Sequence, residues 1–236
     1  KYKLKLIEDN AECMLGKLNG KLVGTFGDCA SFSFQNSKHI TSGEGGMVIT
    51  NDDDLANKIR SIQSMAKPSL NPNKTAITKM DVQNPNFNRN YSLGWNYRMP
   101  ELCAAVALGQ FENIDKLVNQ RIEVANLFQD QIQRDNDWFV PQYVPKSIKN
   151  TYWTWAVKLE TNFVKWLDFK KRFQKHGGDG IYAAWKLTYD EPAFKNLSLL
   201  GREGLISKKN LQQYTNPKCP NSEVIQPRLL LFKTSY

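Results

Sequence analysis

An α/β fold in two parts is predicted for this chain by three observations. Over residues 2–66 the apolar runs follow a strand, loop, strand, helix order. A helix-period apolar stripe occupies residues 99–133, and after Asp135 a second series of strand, helix and strand begins. Alternation of this kind marks layered α/β domains, not an all-helical or all-strand protein.

Taken in order, Tyr2 to Ile7 largely alternates and runs into the acidic pair Glu8-Asp9. It reads as a strand that delivers Asp9 to the C-terminal edge of a sheet, where open α/β sheets bind their ligands. Cys29 to Phe34 and Met47 to Thr50 are two further short strands. Between them a single lysine, Lys38, is followed by Gly43, Gly45 and Gly46. Those glycines permit positive φ and close backbone contact, so the loop can fold tightly around a bound group. A lysine buried in such a loop can lose its proton and attack a carbonyl.

Asn51-Asp52-Asp53-Asp54 is expected to cap a helix running through about Ala66. Lys67 to Asn90 is polar and carries Pro68, Pro72 and Pro85, which predicts a long loop with little regular structure. Pro100 suits the first turn of a helix reaching about Gln133, with Leu102, Ala105, Leu108, Phe111, Ile114 and Leu117 as a stripe expected to pack in the core. Beyond Asp135 come a strand Tyr152 to Leu159, an amphipathic helix Phe163 to His176 stopped by Gly177-Gly178, and a strand Ile181 to Trp185. The expected domains are residues 1–134 and a smaller α+β domain, 135–236.

Composition narrows the function classes without choosing one. The chain has 236 residues, 41% of them hydrophobic, enough for a substantial core. No apolar run approaches the roughly 20 residues that span a bilayer, and Lys1-Tyr2-Lys3 opens without the apolar core of a signal peptide, so a cytoplasmic protein is expected. Cys13, Cys29, Cys103 and Cys219 are scattered and only two histidines occur, so neither a disulfide framework nor a metal site is expected. The net charge of +9 comes from dispersed residues such as Lys165, Lys170, Lys171, Arg172 and Lys175, the pattern of a solvated helix face and not of a nucleic-acid stripe. It suits an anionic small substrate and equally a proteome rich in lysine and asparagine.

The loop segment Ser-Phe-Ser-Phe-x-x-x-Lys-x-Ile-Thr-x-Gly-Glu-Gly-Gly-Met-Val, residues 31–48, resembles the cofactor-lysine signature of the DegT/DnrJ/EryC1/StrS aminotransferases. Two more blocks match in order: Ile7-Glu8-Asp9-Asn10-Ala11-Glu12 upstream and Gly94-Trp95-Asn96-Tyr97-Arg98-Met99 downstream. The likeness is specific over residues 3–134 and diffuse beyond. It implies the fold of type I transferases dependent on pyridoxal 5'-phosphate (PLP): part of a large domain with a mixed, mostly parallel sheet, the long interface helix, and a small C-terminal α+β domain. It also implies that the chain is a piece of a longer protein, lacking the first part of the large domain.

By this resemblance Lys38 is the cofactor lysine and the acid/base, and Asp9 is the partner of the cofactor's ring nitrogen. Ser33 supplies a hydroxyl to the cofactor phosphate, Asn96 reaches the phosphate in a neighbouring subunit, and Glu12 lies near the ring. Arg98 is left open between binding an anion and a structural ion pair. Related sugar 3-dehydratases have histidine at the position of Lys38; here His39 is only its neighbour, so transamination is expected. The implied reaction moves an amino group from an amino acid, L-glutamate by expectation, to a keto-sugar that is nucleotide-linked, in a homodimer with shared sites. Gly180 to Lys186 lacks the histidine-tyrosine pattern expected for many such enzymes, which leaves the sugar open. The rival readings are a catalytically silent or regulatory homologue and a basic α/β binding module.

Overall fold

The computed structural model describes residues 2–67, 78–133, 138–160, 164–178, 180–195 and 218–235. In chain order the principal elements are β1 (Ile7–Asp9), β2 (Lys17–Leu18), β3 (Lys21–Leu22), β4 (Cys29–Ser33), β5 (Gly46–Ile49), α1 (Asp53–Gln63), α2 (Lys79–Gln83), α3 (Glu101–Phe111), α4 (Ile114–Gln133), β6 (Phe139–Pro141), β7 (Ile148–Lys149), β8 (Thr154–Leu159), α5 (Trp166–Lys175), β9 (Ile181–Ala183) and β10 (Leu229–Lys233). They fall into two units: Lys1–Ile122 with Pro145–Trp153, and Glu123–Val144 with Thr154–Tyr236. The boundary expected at 134/135 lies outside the described residues.

In the first unit the sheet order is β1-β4-β5, with β1 and β4 parallel and β4 and β5 antiparallel. The expected mixed sheet is therefore present, but its first strand is Ile7–Asp9 instead of Tyr2 to Ile7. Its partner explains this, because the ladder can begin only where β4 begins, at Ile7 opposite Cys29. Immediately before Cys29 the chain turns, and Glu8 holds that turn by accepting N–H bonds from Gly24, Phe26 and Gly27 at 2.6 Å each. Burial raises the Glu8 pKa, yet the three N–H donors outweigh it and leave the carboxyl below its ordinary value. A small antiparallel sheet, β3-β2-β7, was not expected from the sequence.

Helix α1 starts as expected, with Asp52 Oδ1 accepting from Leu55 N at 3.0 Å. It stops at Gln63, short of Ala66, because Met65 and Ala66 take φ of 60° and 50°, which a helix interior excludes. Met65 N donates to Trp95 O at 2.8 Å and Trp95 N to Ile62 O at 2.7 Å, stitching the helix end to the Trp95 segment. Inside the stretch expected to be a loop, α2 is set by a capping box between Thr78 and Asp81; Pro68 and Pro72 lie outside the described residues.

The single helix expected from Pro100 to Gln133 is two helices. Asn113 breaks it, its side-chain amide donating to Gly109 O at 3.0 Å while its own N–H bonds to Gln110 O. The expected core stripe also needs correction. Leu102, Leu108 and Phe111 are 82%, 60% and 60% exposed, whereas Ile114 and Val118 pack with Met14, Phe34 and Ile40. The α3 residues are apolar around the whole circumference, so no single face is selected for this unit's core.

The second unit is built on the antiparallel sheet β6-β8-β10-β9. β8 alternates strictly, burying Trp155, Val157 and Leu159. Its partner β10 buries Leu230 and Phe232, and Phe169 and Phe173 of α5 pack edge-on to the Phe232 ring. The sequence reading placed β8, α5 and β9 within a few residues but missed β10, the strand between β8 and β9. Phe163 lies outside the described residues.

Candidate active site

The site forms in the first unit where β1 and β4 end side by side. Asp9 pairs in register with Ser31, and Ser33 is two residues further along β4, so Asp9, Ser31 and Ser33 share one face. Asp9 Oδ1 accepts from Ala11 N at 3.1 Å, and Ser33 Oγ accepts from Gln35 N at 3.3 Å. Both side chains are thereby held by the turns that leave their strands.

The loop that follows β4 is shaped by its glycines. Gly45 takes φ of 141°, and a Cβ on Gly46 would lie 2.7 Å from the Phe32 carbonyl oxygen, so the ladder at this end admits no side chain there. Thr41 Oγ1 donates to Phe34 O at 3.1 Å, closing the loop on the strand end.

Within this loop the Lys38 side chain is 13% exposed, and Nζ lies 3.0 Å from Glu12 Oε1. The same nitrogen stands 4.4 Å from the centroid of the Trp153 ring. Lys38 thus meets both a carboxylate and an aromatic face, which shield its amine from solvent. Trp153 Nε1 donates to Ser37 O at 2.9 Å. From α4, Arg121 donates to Lys38 O at 2.7 Å, to Trp153 O at 3.1 Å and to Ser37 O at 3.2 Å. Arg121 is 7% exposed, and burial lowers its pKa.

His39, 4% exposed, meets Thr151 O through Nε2 at 2.9 Å. A carbonyl can only accept, so Nε2 carries the proton and the buried Nδ1, which has no hydrogen-bond partner among the described residues, is left bare. Burial, opposed by the Thr151 bond and assisted by the Arg121 and Lys38 charges, pushes His39 down to about 4.

Among the five residues singled out by sequence, Asp9 and Ser33 share a sheet face, and Lys38 and Glu12 are in contact. Asn96 pairs with Ser64 in an isolated antiparallel bridge, and among the described residues no hydrogen bond joins it to Lys38 or Ser33. Arg98 donates to Ser64 Oγ at 3.2 Å, so its partner is a hydroxyl and not a carboxylate. With Arg60, Lys67, Arg89 and Phe87 it lines a cavity of about 830 Å³. Among the described residues none of these four cations is in an ion pair, and the intervening residues 68–77 include no acid. Arg121 and Trp153 escaped the sequence reading because they lie 83 and 116 residues from their loop partners.

A family model described as the DegT/DnrJ/EryC1/StrS aminotransferase family matches residues 1–218. The chain belongs to this family. A GDP-perosamine synthase of Caulobacter vibrioides is 33% identical over 159 residues, 67% of this chain but 39% of that relative's length. Among solved structures, Helicobacter pylori PseC, an aminotransferase involved in the biosynthesis of pseudoaminic acid, superposes with a TM-score of 0.73 at 22% identity, covering 97% of this chain and 53% of that one. An E. coli GDP-4-keto-6-deoxy-D-mannose-3-dehydratase with bound hydrated PLP does so with a TM-score of 0.73 at 20% identity, over 98% of this chain and 56% of the other. The fold of this DegT/DnrJ/EryC1/StrS chain is thus that of the type I PLP-dependent transferases. The match spans well under two thirds of these relatives' lengths.

Proposed function

We propose that this chain carries the lysine-bearing part of a PLP-dependent aminotransferase that moves an amino group from L-glutamate to a nucleotide-linked keto-sugar. The observation that carries the reading is the Lys38 amine, largely withdrawn from solvent beside Glu12 at the end of the strand pair that bears Asp9 and Ser33. The donor set suits the cofactor: an amine for its aldehyde, a carboxylate for its ring nitrogen, and a hydroxyl and an amide for its phosphate.

When bound, PLP supplies the electron sink for the electrons released at the substrate carbon. Asp9 would keep the ring nitrogen protonated. Ser33 Oγ would bind a phosphate oxygen, with Asn96 offering its amide to the phosphate in a neighbouring subunit. Lys38 Nζ would hold the cofactor, yield its place to the donor's amino group, and then move the proton at the donor's α-carbon. Glu12 holds Lys38 Nζ at 3.0 Å, and the Trp153 ring limits the approach of water to it. A lysine here, where the related 3-dehydratases have histidine, favours transfer over dehydration.

The charge around the Arg98 cavity supports an anionic, nucleotide-linked substrate, because four cations and, among the described residues, no carboxylate line it. The exposed apolar residues Leu102, Val106, Leu108 and Phe111 of α3 support a homodimer in which α3 is covered by a second copy. The test is turnover: with PLP, L-glutamate and a panel of nucleotide-linked keto-sugars, the protein forms 2-oxoglutarate and Lys38→Ala forms none. Undiminished turnover in Lys38→Ala removes the reading, and a folded, PLP-loaded protein inert toward the whole panel favours a silent homologue.

A further inference from the structure

Reading Lys38 as the reacting amine leaves open what aims it, since the loop from Gln35 to Gly45 has little regular structure of its own. At Lys38 itself the local backbone bond is the turn bond from Lys38 N to Gln35 O at 3.0 Å, while Ser42 N, Thr41 Oγ1 and Gly45 O tie the far end of the loop to Phe34. Around Lys38, two distant places in the chain add further contacts.

The Ser37 carbonyl belongs to the peptide plane before the Lys38 Cα, and the Lys38 carbonyl to the plane after it. Arg121 Nη2 donates to both, at 3.2 and 2.7 Å. Because peptide planes are rigid, fixing the plane on each side of a Cα fixes the direction of its Cα–Cβ bond. The guanidinium is suited to this by its planar fork, and its burial requires that its donors find acceptors. The far end of the side chain is placed by Trp153, whose ring faces Nζ at 4.4 Å and whose indole N–H grips Ser37 O at 2.9 Å. Trp153 and Arg121 are themselves joined, Trp153 O accepting from Nη1 at 3.1 Å.

The segment that presents Trp153 carries backbone strain at the point of presentation. Tyr152 takes φ of 48°, in the left-handed region, with its N–H held by Asn150 Oδ1 at 3.0 Å. On one side of it Thr151 O meets His39, and on the other Trp153 meets Lys38. Strained non-glycine residues persist where the surroundings over-determine them, and they cluster at sites that must be rigid.

We propose that Arg121 and Trp153 form a two-jaw clamp that positions Lys38, Arg121 through the Ser37 and Lys38 carbonyls and Trp153 through its indole N–H and ring face. Both are positioning residues that act through the lysine loop; this role rests on the proposed chemistry of Lys38, but its test does not.

The protein free of cofactor is acylated with a trace reagent, and the Lys38 to Lys116 labelling ratio is read by peptide mass spectrometry together with amide exchange at Lys38 and His39. Lys116, exposed on α4, is the internal reference. Trp153→Phe keeps an aromatic ring and deletes one N–H donor, and Arg121→Lys keeps the charge and deletes the fork. Each is expected to raise the ratio roughly fivefold, the scale of one modest hydrogen bond, and to speed exchange at both amides. In the loaded enzyme Arg121→Lys lowers kcat at constant KM. A merely structural role would shift the unfolding midpoint and all lysines alike.

An unchanged ratio and unchanged exchange in folded Trp153→Phe overturn the clamp, whether or not Arg121→Lys folds. A raised ratio in a protein that never holds PLP on Lys38 would keep the clamp and remove the aminotransferase reading; trapped PLP with an unchanged ratio would remove the clamp alone.

Discussion

His39 shows how closely the ground beside Lys38 is specified. Neutral and bonded through Nε2 to Thr151 O, it would gain by protonation a buried cation next to Arg121 and Lys38. Its folded pKa of about 4 lies below the ordinary 6.5, so below pH 6.5 the unfolded chain binds a proton that the folded chain refuses. Stability is therefore expected to fall between pH 6.5 and about 4, by up to roughly 3 kcal/mol, and to lose no more through this group below that. Urea unfolding across this window should show the slope, and His39→Gln should flatten it. Lys38→Ala is expected to move the unfolding midpoint little, because the substitution removes a polar loop side chain and no core volume. A large drop in its midpoint would make Lys38 structural. At this scale the places of Asp9 at a strand end and of Lys38 in a glycine-rich loop were legible, since strand edge and loop are local in sequence. The contacts of Trp153 and Arg121 were not, because they form only once residues 83 to 116 positions apart are folded together.

Among the elements, β4 and β5 were read almost to the residue, their glycine loop included, because β-branched and aromatic runs punctuated by glycine leave few alternatives. Gly46→Ala is expected to destabilise by about 1–3 kcal/mol, since its Cβ would meet Phe32 O at 2.7 Å. Asp52→Ala, which removes the α1 cap, should cost about 1 kcal/mol. Denaturant midpoints check both, and an unchanged midpoint in Gly46→Ala would contradict the backbone contact at Gly46. The end of α1 and the break between α3 and α4 were not legible. The first is imposed by the Trp95 segment, and the second by one asparagine inside an otherwise helical pattern. β10 escaped notice because Leu229–Lys233 shows its alternation only against the flanking strands.

For the whole molecule, membership of the DegT/DnrJ/EryC1/StrS family and the type I fold were legible from three ordered blocks, while the packing of α3 was not. A periodic apolar stripe says that a surface will be covered, not by what. If a second copy covers α3, Leu108→Glu should shift the protein from dimer to monomer in light scattering, and an unchanged mass would place the dimer surface elsewhere. No helix among the described residues is long and apolar enough to cross a membrane. The central claim is that Lys38 is the amine that takes PLP, and the most direct measurement is to incubate the protein with PLP, reduce with borohydride and map the modified peptide by mass spectrometry. The account predicts the label on Lys38, absent from Lys38→Ala. A label distributed over exposed lysines with Lys38 unmodified would contradict it.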